Sequence, residues 1–302
     1  MRNIVIVNLE SVNMTTYNLL PRDEKMQWEI WRIQEAYSMR KTGNVFVTGA
    51  FYKEILRDDL FDALEEYNKV FAAEWHYCPT RLTKKVVEFY PQRMVTKPSW
   101  FDDWLVDRFD KYINTYVSDK VDIKYTLNRV GKHLEEPYFL MLQAHDTHLP
   151  FKSAGVSGWY DWYKSLEEEI SLPKDLIRDE GLEGYGFIKQ LCTLNDRGLY
   201  SFEKDPNRER IFKIFHDARL MQVKALIYVL DNLKRFVSSD VLFHFIGDHM
   251  TLLGDFDRFG NVHGDMSEEE MLRTVWLTNQ NIDMSERYVV GQLPELLIEE
   301  IK

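Results

Sequence analysis

The chain has 302 residues, 45% of them hydrophobic and 29% charged, with a mean hydropathy of −0.39. That is enough sequence to bury a full core, and it excludes disordered, collagen-like and disulfide-stapled classes. Lys and Arg number 38 against 49 Asp and Glu, so the net charge of −11 argues against nucleic acid or an anionic membrane as partner.

Taken in chain order, Ile4 to Leu9 is a short apolar run of the kind that forms a central strand of a parallel sheet. Helical spacing follows over Glu24 to Met39, Lys53 to Tyr67, Leu82 to Phe89 and Ile123 to Leu134. A second strand is expected at Tyr138 to Leu142 and a third at Val241 to Ile246. A weaker fourth lies at Thr274 to Thr278. Between the second and third, Arg208 to Phe236 reads as a long helix with a core stripe of Phe212, Phe215, Leu220, Val223, Leu226, Ile227 and Leu230. Leu293 to Ile301 reads as a terminal helix. Strands separated by helices define an α/β fold, a mostly parallel central sheet sandwiched by helices. No composition shift marks a boundary, so residues 1–302 are read as one domain, with an insertion or lid over about 151–206. Cys78 and Cys192 are too few for a disulfide framework. With no signal-peptide core and no apolar run of spanning length, the expected address is the cytoplasm, with no membrane span.

In open α/β sheets ligands bind beyond the carboxyl ends of the strands. Glu10 follows the first strand, His145-Asp146-Thr147-His148 the second, and Gly247-Asp248-His249 the third. Carboxylates and imidazoles converging on one rim form a ligand set suited to zinc or manganese, with calcium or magnesium as alternatives. Asp146 and His148 alternate along an extended chain, so one contact is expected from this segment, at His148, with Pro150 fixing the backbone behind it. His263 follows across a polar loop. Cys78-Pro79-Thr80-Arg81 precedes the helical spacing of Leu82 to Phe89. A hydroxyl or thiol there would meet the positive end of a helix, with Arg81 free to fork onto phosphate or sulfate oxygens. Trp100-Phe101-x-x-Trp104 and Trp159-Tyr160-x-Trp162-Tyr163 are read as core or lid packing, with stacking on a sugar ring as the alternative.

The ordered set Glu10, Cys78-Pro79-Thr80-Arg81, His148-Leu149-Pro150-Phe151, Asp248-His249 and His263-Gly264 resembles the alkaline phosphatase superfamily. Its sulfatase, lipoteichoic-acid-synthase and phosphoethanolamine-transferase branches are the most similar. The stretch Met266 to Thr278 is also similar to what those enzymes carry after their His-Gly. The resemblance implies that Glu10, Asp248 and His249 hold a divalent metal together with a nucleophile. It further implies that His148 and His263 contact the transferred group or a second ion. Sulfatases carry Cys-x-Pro-x-Arg for conversion to formylglycine; here Pro79 follows Cys78 directly, one residue short. Thr80, a hard oxygen ligand of the type used in the transferase branches, is therefore the expected nucleophile and fourth ligand, with Cys78 second. Met250 stands where a glycine usually follows Asp-His.

The function implied is a metal-dependent hydrolase or phosphotransferase acting on a phosphate or sulfate ester of a soluble small molecule or glycan. The competing expectation is a degenerate relative that has lost its nucleophile and binds an anionic glycan or a partner protein. A nucleotide-binding protein is set aside, because Asn8 to Tyr17 contains no glycine for a phosphate loop.

Overall fold

Among the described residues eight strands form one sheet, in the order β2-β12-β9-β1-β8-β3-β7-β5. They are β1 (Asn3–Leu9), β2 (Arg32–Tyr37), β3 (Asn68–Ala73), β5 (Val86–Phe89), β7 (Lys111–Asn114), β8 (Tyr138–Ala144), β9 (Val241–Gly247) and β12 (Arg273–Thr278). Two small pairs lie outside it: β4 (Cys78–Pro79) beside β6 (Pro98–Ser99), and β10 (Thr251–Leu253) against β11 (Phe259–Asn261). This computed structural model describes residues 1–24, 32–37, 47–75, 78–89, 98–116, 121–149, 151–249, 251–253, 259–261, 273–282 and 290–302. All neighbours from β9 to β5 pair in parallel, and only β12 runs against the rest, antiparallel to both β9 and β2. The expected mostly parallel α/β sheet is therefore present.

The sheet buries both faces, and the period of two along each strand divides them. Ile4 and Ile6 of β1, Phe139 and Met141 of β8 and Leu242 and Ile246 of β9 share one core. Helices α2 (Val47–Ile55), α3 (Asp58–Ala63), α4 (Trp100–Arg108) and α10 (Leu293–Ile301) contribute residues to it. Val5, Val7 and Leu9 face the other way with Leu140, Leu142, Phe243 and Phe245, against α5 (Ile123–Val130) and part of α9 (Arg208–Leu233). A third core gathers the helices of the 151–206 segment, α6 (Trp159–Glu169), α7 (Lys174–Asp179) and α8 (Phe187–Asp196), on the first half of α9. Trp162 is buried there, its indole N–H donating to the Ile214 carbonyl at 2.8 Å, so this aromatic anchors packing. Among the described residues no helix is long and apolar enough to cross a membrane.

Several expected elements change. Within Glu24 to Met39 the described part is strand β2, not helix: six backbone pairings with β12 outweigh a helix preference of tenths of a kcal/mol per residue. Lys53 to Tyr67 is broken at Arg57, which turns extended (φ −79°, ψ 157°) to start α3. Leu82 to Phe89 is a turn followed by β5, whose Val86-Val87 pair suits the ladder with β7. Strands β3 and β7 escape notice because Asn68–Ala73 and Lys111–Asn114 are short and weakly apolar. In the α9 stripe, Leu220 points outward and is 41% exposed.

Gly247 ends β9 because nothing larger fits. A Cβ there would stand 1.9 Å from the Val12 carbonyl oxygen and 2.2 Å from the Thr274 hydroxyl, which itself donates to that carbonyl at 2.9 Å. The residue allows close approach of the loop after β1, and through it sets where Asp248 begins. Gly247→Ala is expected to lower stability by about 1–3 kcal/mol through overpacking. Gly186→Ala, at a position of ordinary backbone (φ −63°, ψ 153°) where a Cβ meets nothing within 4 Å, should change it by less than about 1 kcal/mol, because the lower unfolded-state entropy offsets a poorer helix cap. Urea midpoints of the two variants check the contrast.

Candidate metal centre

The three central strands end in register. Leu9 pairs with Ala144 on one side and with Gly247 on the other, so Glu10, His145 and Asp248 are each one residue past a shared finish line. Neighbouring strands lie about 4.8 Å apart, and alternation sends all three residues toward the face that α2 covers. The ligand atoms of Glu10, Asp248 and His249 lie within 4.8 Å of one another, and all three residues are buried. Glu10 Oε1 is 3.6 Å from His249 Nε2, and Asp248 Oδ2 is 3.7 Å from the same nitrogen.

Asp248 is oriented by three donors. Its Oδ1 accepts the backbone N–H groups of Ser11 and His249, each at 2.9 Å, and its Oδ2 accepts the Asn8 amide at 3.1 Å. Ser11 reaches Asp248 by adopting a left-handed backbone (φ 64°), an uncommon conformation for a serine. Burial, and then the charge of Glu10, push the Asp248 carboxyl up. Burial opposes ionisation of Glu10 too, yet the imidazoles of His145 and His249 facing it hold its carboxyl well below the usual range. Two carboxylates and an imidazole buried together, one carboxyl unwilling to ionise beside the other, fit a divalent cation as the missing counter-charge.

The loops carrying these residues are cross-braced. The Thr147 hydroxyl donates to the Glu10 carbonyl at 2.5 Å, and Gln222 of α9 donates to the carbonyls of Ser11 and Thr147 at 3.0 and 3.3 Å. Arg219 and the Thr16 hydroxyl in turn donate to the Gln222 side-chain oxygen at 3.1 and 2.7 Å.

His148 sits half-buried at this rim, its ring stacked on His145 with centroids 4.3 Å apart. Its Nδ1–H donates to the Leu149 carbonyl, leaving Nε2 as the ring's acceptor. Burial, helped by His145 and His249, pushes it down to about 3, so the imidazole is neutral at physiological pH. Asp146 faces the opposite side, accepting Ser153 Oγ at 2.6 Å and the Ile123 N–H at 3.2 Å. There it meets Glu74, the residue after β3, whose carboxyl is pushed well above its usual range by burial and by the Asp146 charge.

The remaining expected residues lie elsewhere. Since β5 replaces the helix expected after Arg81, Cys78-Pro79-Thr80-Arg81 does not itself lead into a helix; Cys78 and Pro79 pair with Pro98 and Ser99 instead. Thr80 is exposed, its N–H donating to Asp103 Oδ1 at 2.9 Å and its hydroxyl to Oδ2 of the same residue. Arg81 is held by Asp107 at 2.6 Å. His263, Pro150, Met250 and the span 266–272 fall outside the described residues.

Helix α2 reaches the centre through one side chain. Its Tyr52 is fully buried, donates its hydroxyl to Gln143 Oε1, and is pushed well above its usual range first by burial and then by the Glu10 charge. Gln143 Oε1 also accepts Asn8 at 2.7 Å, so Tyr52, Gln143, Asn8 and Asp248 are linked. Thr48 lies in the first turn of α2, and its i, i+4 spacing from Tyr52 puts both positions on one helix face. Sequence patterning does not single it out, because the helical spacing begins at Lys53; the apolar run Val45-Phe46-Val47 ending in Thr48-Gly49 is the available signal.

No family model matches the sequence, and no curated protein matches it. Solved structures do. The C-terminal periplasmic domain of phosphoethanolamine transferase EptC from Campylobacter jejuni superposes with a TM-score of 0.55 at 10% identity, covering 99% of this chain and 88% of that one. The C-terminal periplasmic domain of EcEptC from Escherichia coli, in complex with Zn, gives 0.50 at 12% identity over 97% of this chain and 80% of that one. BT4656, in complex with its substrate D-glucosamine-2-N,6-O-disulfate, gives 0.51 at 10% identity over 99% and 76%. The chain has the alkaline-phosphatase and sulfatase-like fold expected from its sequence.

The Glu74–Asp146 pair makes stability depend on pH. Glu74 keeps its proton in the fold, whereas in the unfolded chain it ionises at about 4.3. Its contribution is therefore complete below that value and is lost as pH rises through the raised folded value. Metal-free protein should lose stability between mildly acidic and alkaline pH. Glu74→Gln, which cannot ionise, should flatten that decline. Urea midpoints across pH in the presence of a chelator provide the check.

Proposed function

We propose that the protein is a metal-dependent enzyme acting on a phosphate or sulfate ester, either hydrolysing it or transferring its tetrahedral group. The observation carrying this reading is the buried Glu10, Asp248 and His249 trio at registered ends of β1 and β9. The structural neighbours support the same chemistry: one is named a phosphoethanolamine transferase, one is a complex with Zn, and one holds a sulfated glucosamine as substrate. Glu10, Asp248 and His249 would hold the cation, with zinc or manganese matching a donor set of two carboxylates and one imidazole. Bound there, a divalent ion supplies positive charge that screens an anionic ester and favours ionisation of a nearby hydroxyl.

A threonine hydroxyl serves as nucleophile. Its oxygen forms a bond to phosphorus or sulfur while the bond to the leaving oxygen breaks. Thr48 is favoured over the Thr80 and Cys78 expected from the motif. It lies in the first turn of a helix that reaches the centre through Tyr52, whereas the Thr80 hydroxyl is already given to Asp103. Neutral His148, with Nε2 as acceptor, suits removing a proton from the entering water or acceptor hydroxyl better than donating one. His263 is assigned by resemblance to the group protonating the leaving oxygen, and Arg81, paired with Asp107, contributes less than expected. The substrate is a small-molecule or glycan ester, and the proposed address is the cytoplasm.

Elemental analysis and titration should find about one tightly held zinc or manganese per chain, lost in Glu10→Gln and Asp248→Asn. A panel of aryl phosphates, phosphodiesters and sulfate esters then identifies the class. On the best substrate, Thr48→Ala should lower turnover by about 10³-fold or more. Thr80→Ala should stay within about threefold, the change expected of a residue remote from the reacting atoms. The reverse order would return the nucleophile to Thr80. A metal-loaded protein inert on the whole panel would favour the degenerate binding reading.

A further inference from the structure

We infer that His145 is a positioning residue for Glu10: its Nδ1–H restrains the Oε2 end of the carboxylate, so that Oε1 is the oxygen turned toward His249 and Asp248. This rests on the metal reading above and deepens it.

Glu10 stands between two imidazoles. Oε1 lies 3.6 Å from His249 Nε2, and Oε2 lies 3.9 Å from His145 Nδ1, so each oxygen faces a different ring. The strand register makes this arrangement unavoidable, because Leu9 and Ala144 are directly paired and the next residue of each strand projects to the same side. His145 cannot readily turn away. Its backbone N–H donates to Glu74 Oε2 at 3.3 Å, and its ring lies flat on His148 with planes 15° apart. Nδ1 is shielded from solvent and, among the described residues, has no hydrogen-bond partner, so the Glu10 carboxylate is the acceptor it faces.

His145 is not itself one of the mutually close donors. Among the described residues, the group whose ligand atoms all lie within 4.8 Å comprises Glu10, Asp248 and His249. An imidazole that faces the outer oxygen of a ligating carboxylate, without joining the set, acts by fixing that carboxylate's orientation. His148, the residue the motif points to, gives its own Nδ1–H to the Leu149 carbonyl and so cannot do this from the same atom.

Zinc and manganese titrations of the full chain, as wild type, His145→Ala, His145→Leu and His145→Asn, test the inference. Removing the donor in Ala or Leu should weaken affinity by about 10- to 100-fold while keeping the same stoichiometry. Asn carries a side-chain N–H close to the position of Nδ1, so it should bind within about threefold of wild type. Leu fills the volume, so it decides the matter if Ala fails to fold, and thermal midpoints of the metal-free variants confirm that each is native. Wild-type affinity in Leu or Ala would overturn the inference. So would an Asn variant as weak as Leu, or loss of the whole equivalent, which would make His145 a ligand. Failure of wild type itself to bind either ion would instead overturn the metal reading, and this inference with it.

Discussion

Two carboxylates held within 4.8 Å of each other, out of water, are the constraint on which the rest of this structure depends. At that separation and an effective dielectric near 20, like charges repel by roughly 4 kcal/mol before any compensation. Everything around Glu10 and Asp248 counters that repulsion. Backbone N–H groups of Ser11 and His249 and the Asn8 amide converge on Asp248, while two imidazoles face Glu10. Ser11 takes a left-handed backbone in doing so, and Gly247 gives up a side chain so that the Ser11–Val12 turn can pass beneath it. The pull of His145 and His249 on Glu10 and the upward push on Asp248 are two halves of one balance. A divalent cation would complete it.

The polar layer beneath the centre extends this balance into the fold. Asn8 and Gln143 occupy strand positions that alternation would otherwise give to core aliphatics, since Ile4, Ile6 and then Asn8 follow one another on the same face. Both are fully buried, and they link Asp248 to the Tyr52 hydroxyl of α2. The same alternation sends Asp146 and Glu74 to the opposite face, where one proton between them spares the protein a second pair of buried charges. Adjacent residues of one loop thus serve two separate electrostatic environments.

The central strands and the buried cluster of Glu10, Asp248 and His249 are legible in the sequence because burial on both faces leaves continuous apolar runs, and the residue following such a run is placed by the run itself. Glu10 and Asp248 needed no more information than that. Strand β2 was not legible, since a six-residue edge strand is decided by its partner β12 rather than by its own composition. The segment after Cys78 misled for a related reason: Val86 to Phe89 carries spacing that a helix could use, but the free edge of β7 claims it. With that strand in place, residues 82–89 supply no helix end beside Thr80, the feature their spacing implies. His145 could have been found from sequence by counting equal lengths from the paired strands. Alternation within the His145–His148 segment, with Pro150 behind it, points to His148 instead.

Helix α9 joins regions that otherwise share little. Its first half, with Ile211, Ile214, Phe215 and Ala218, belongs to the core of the 151–206 helices; its second half, from Val223 to Leu233, belongs to the sheet. Arg219 and Gln222 sit at the junction, and Gln222 holds the Ser11 and Thr147 carbonyls beside the centre. Apolar packing is forgiving of sequence so long as volume is kept, whereas a buried amide with two fixed carbonyl acceptors is not. The helices packed on the first half of α9 can therefore be exchanged, shortened or reshaped over evolutionary time. The floor beneath keeps its alignment as long as one glutamine stays where it is.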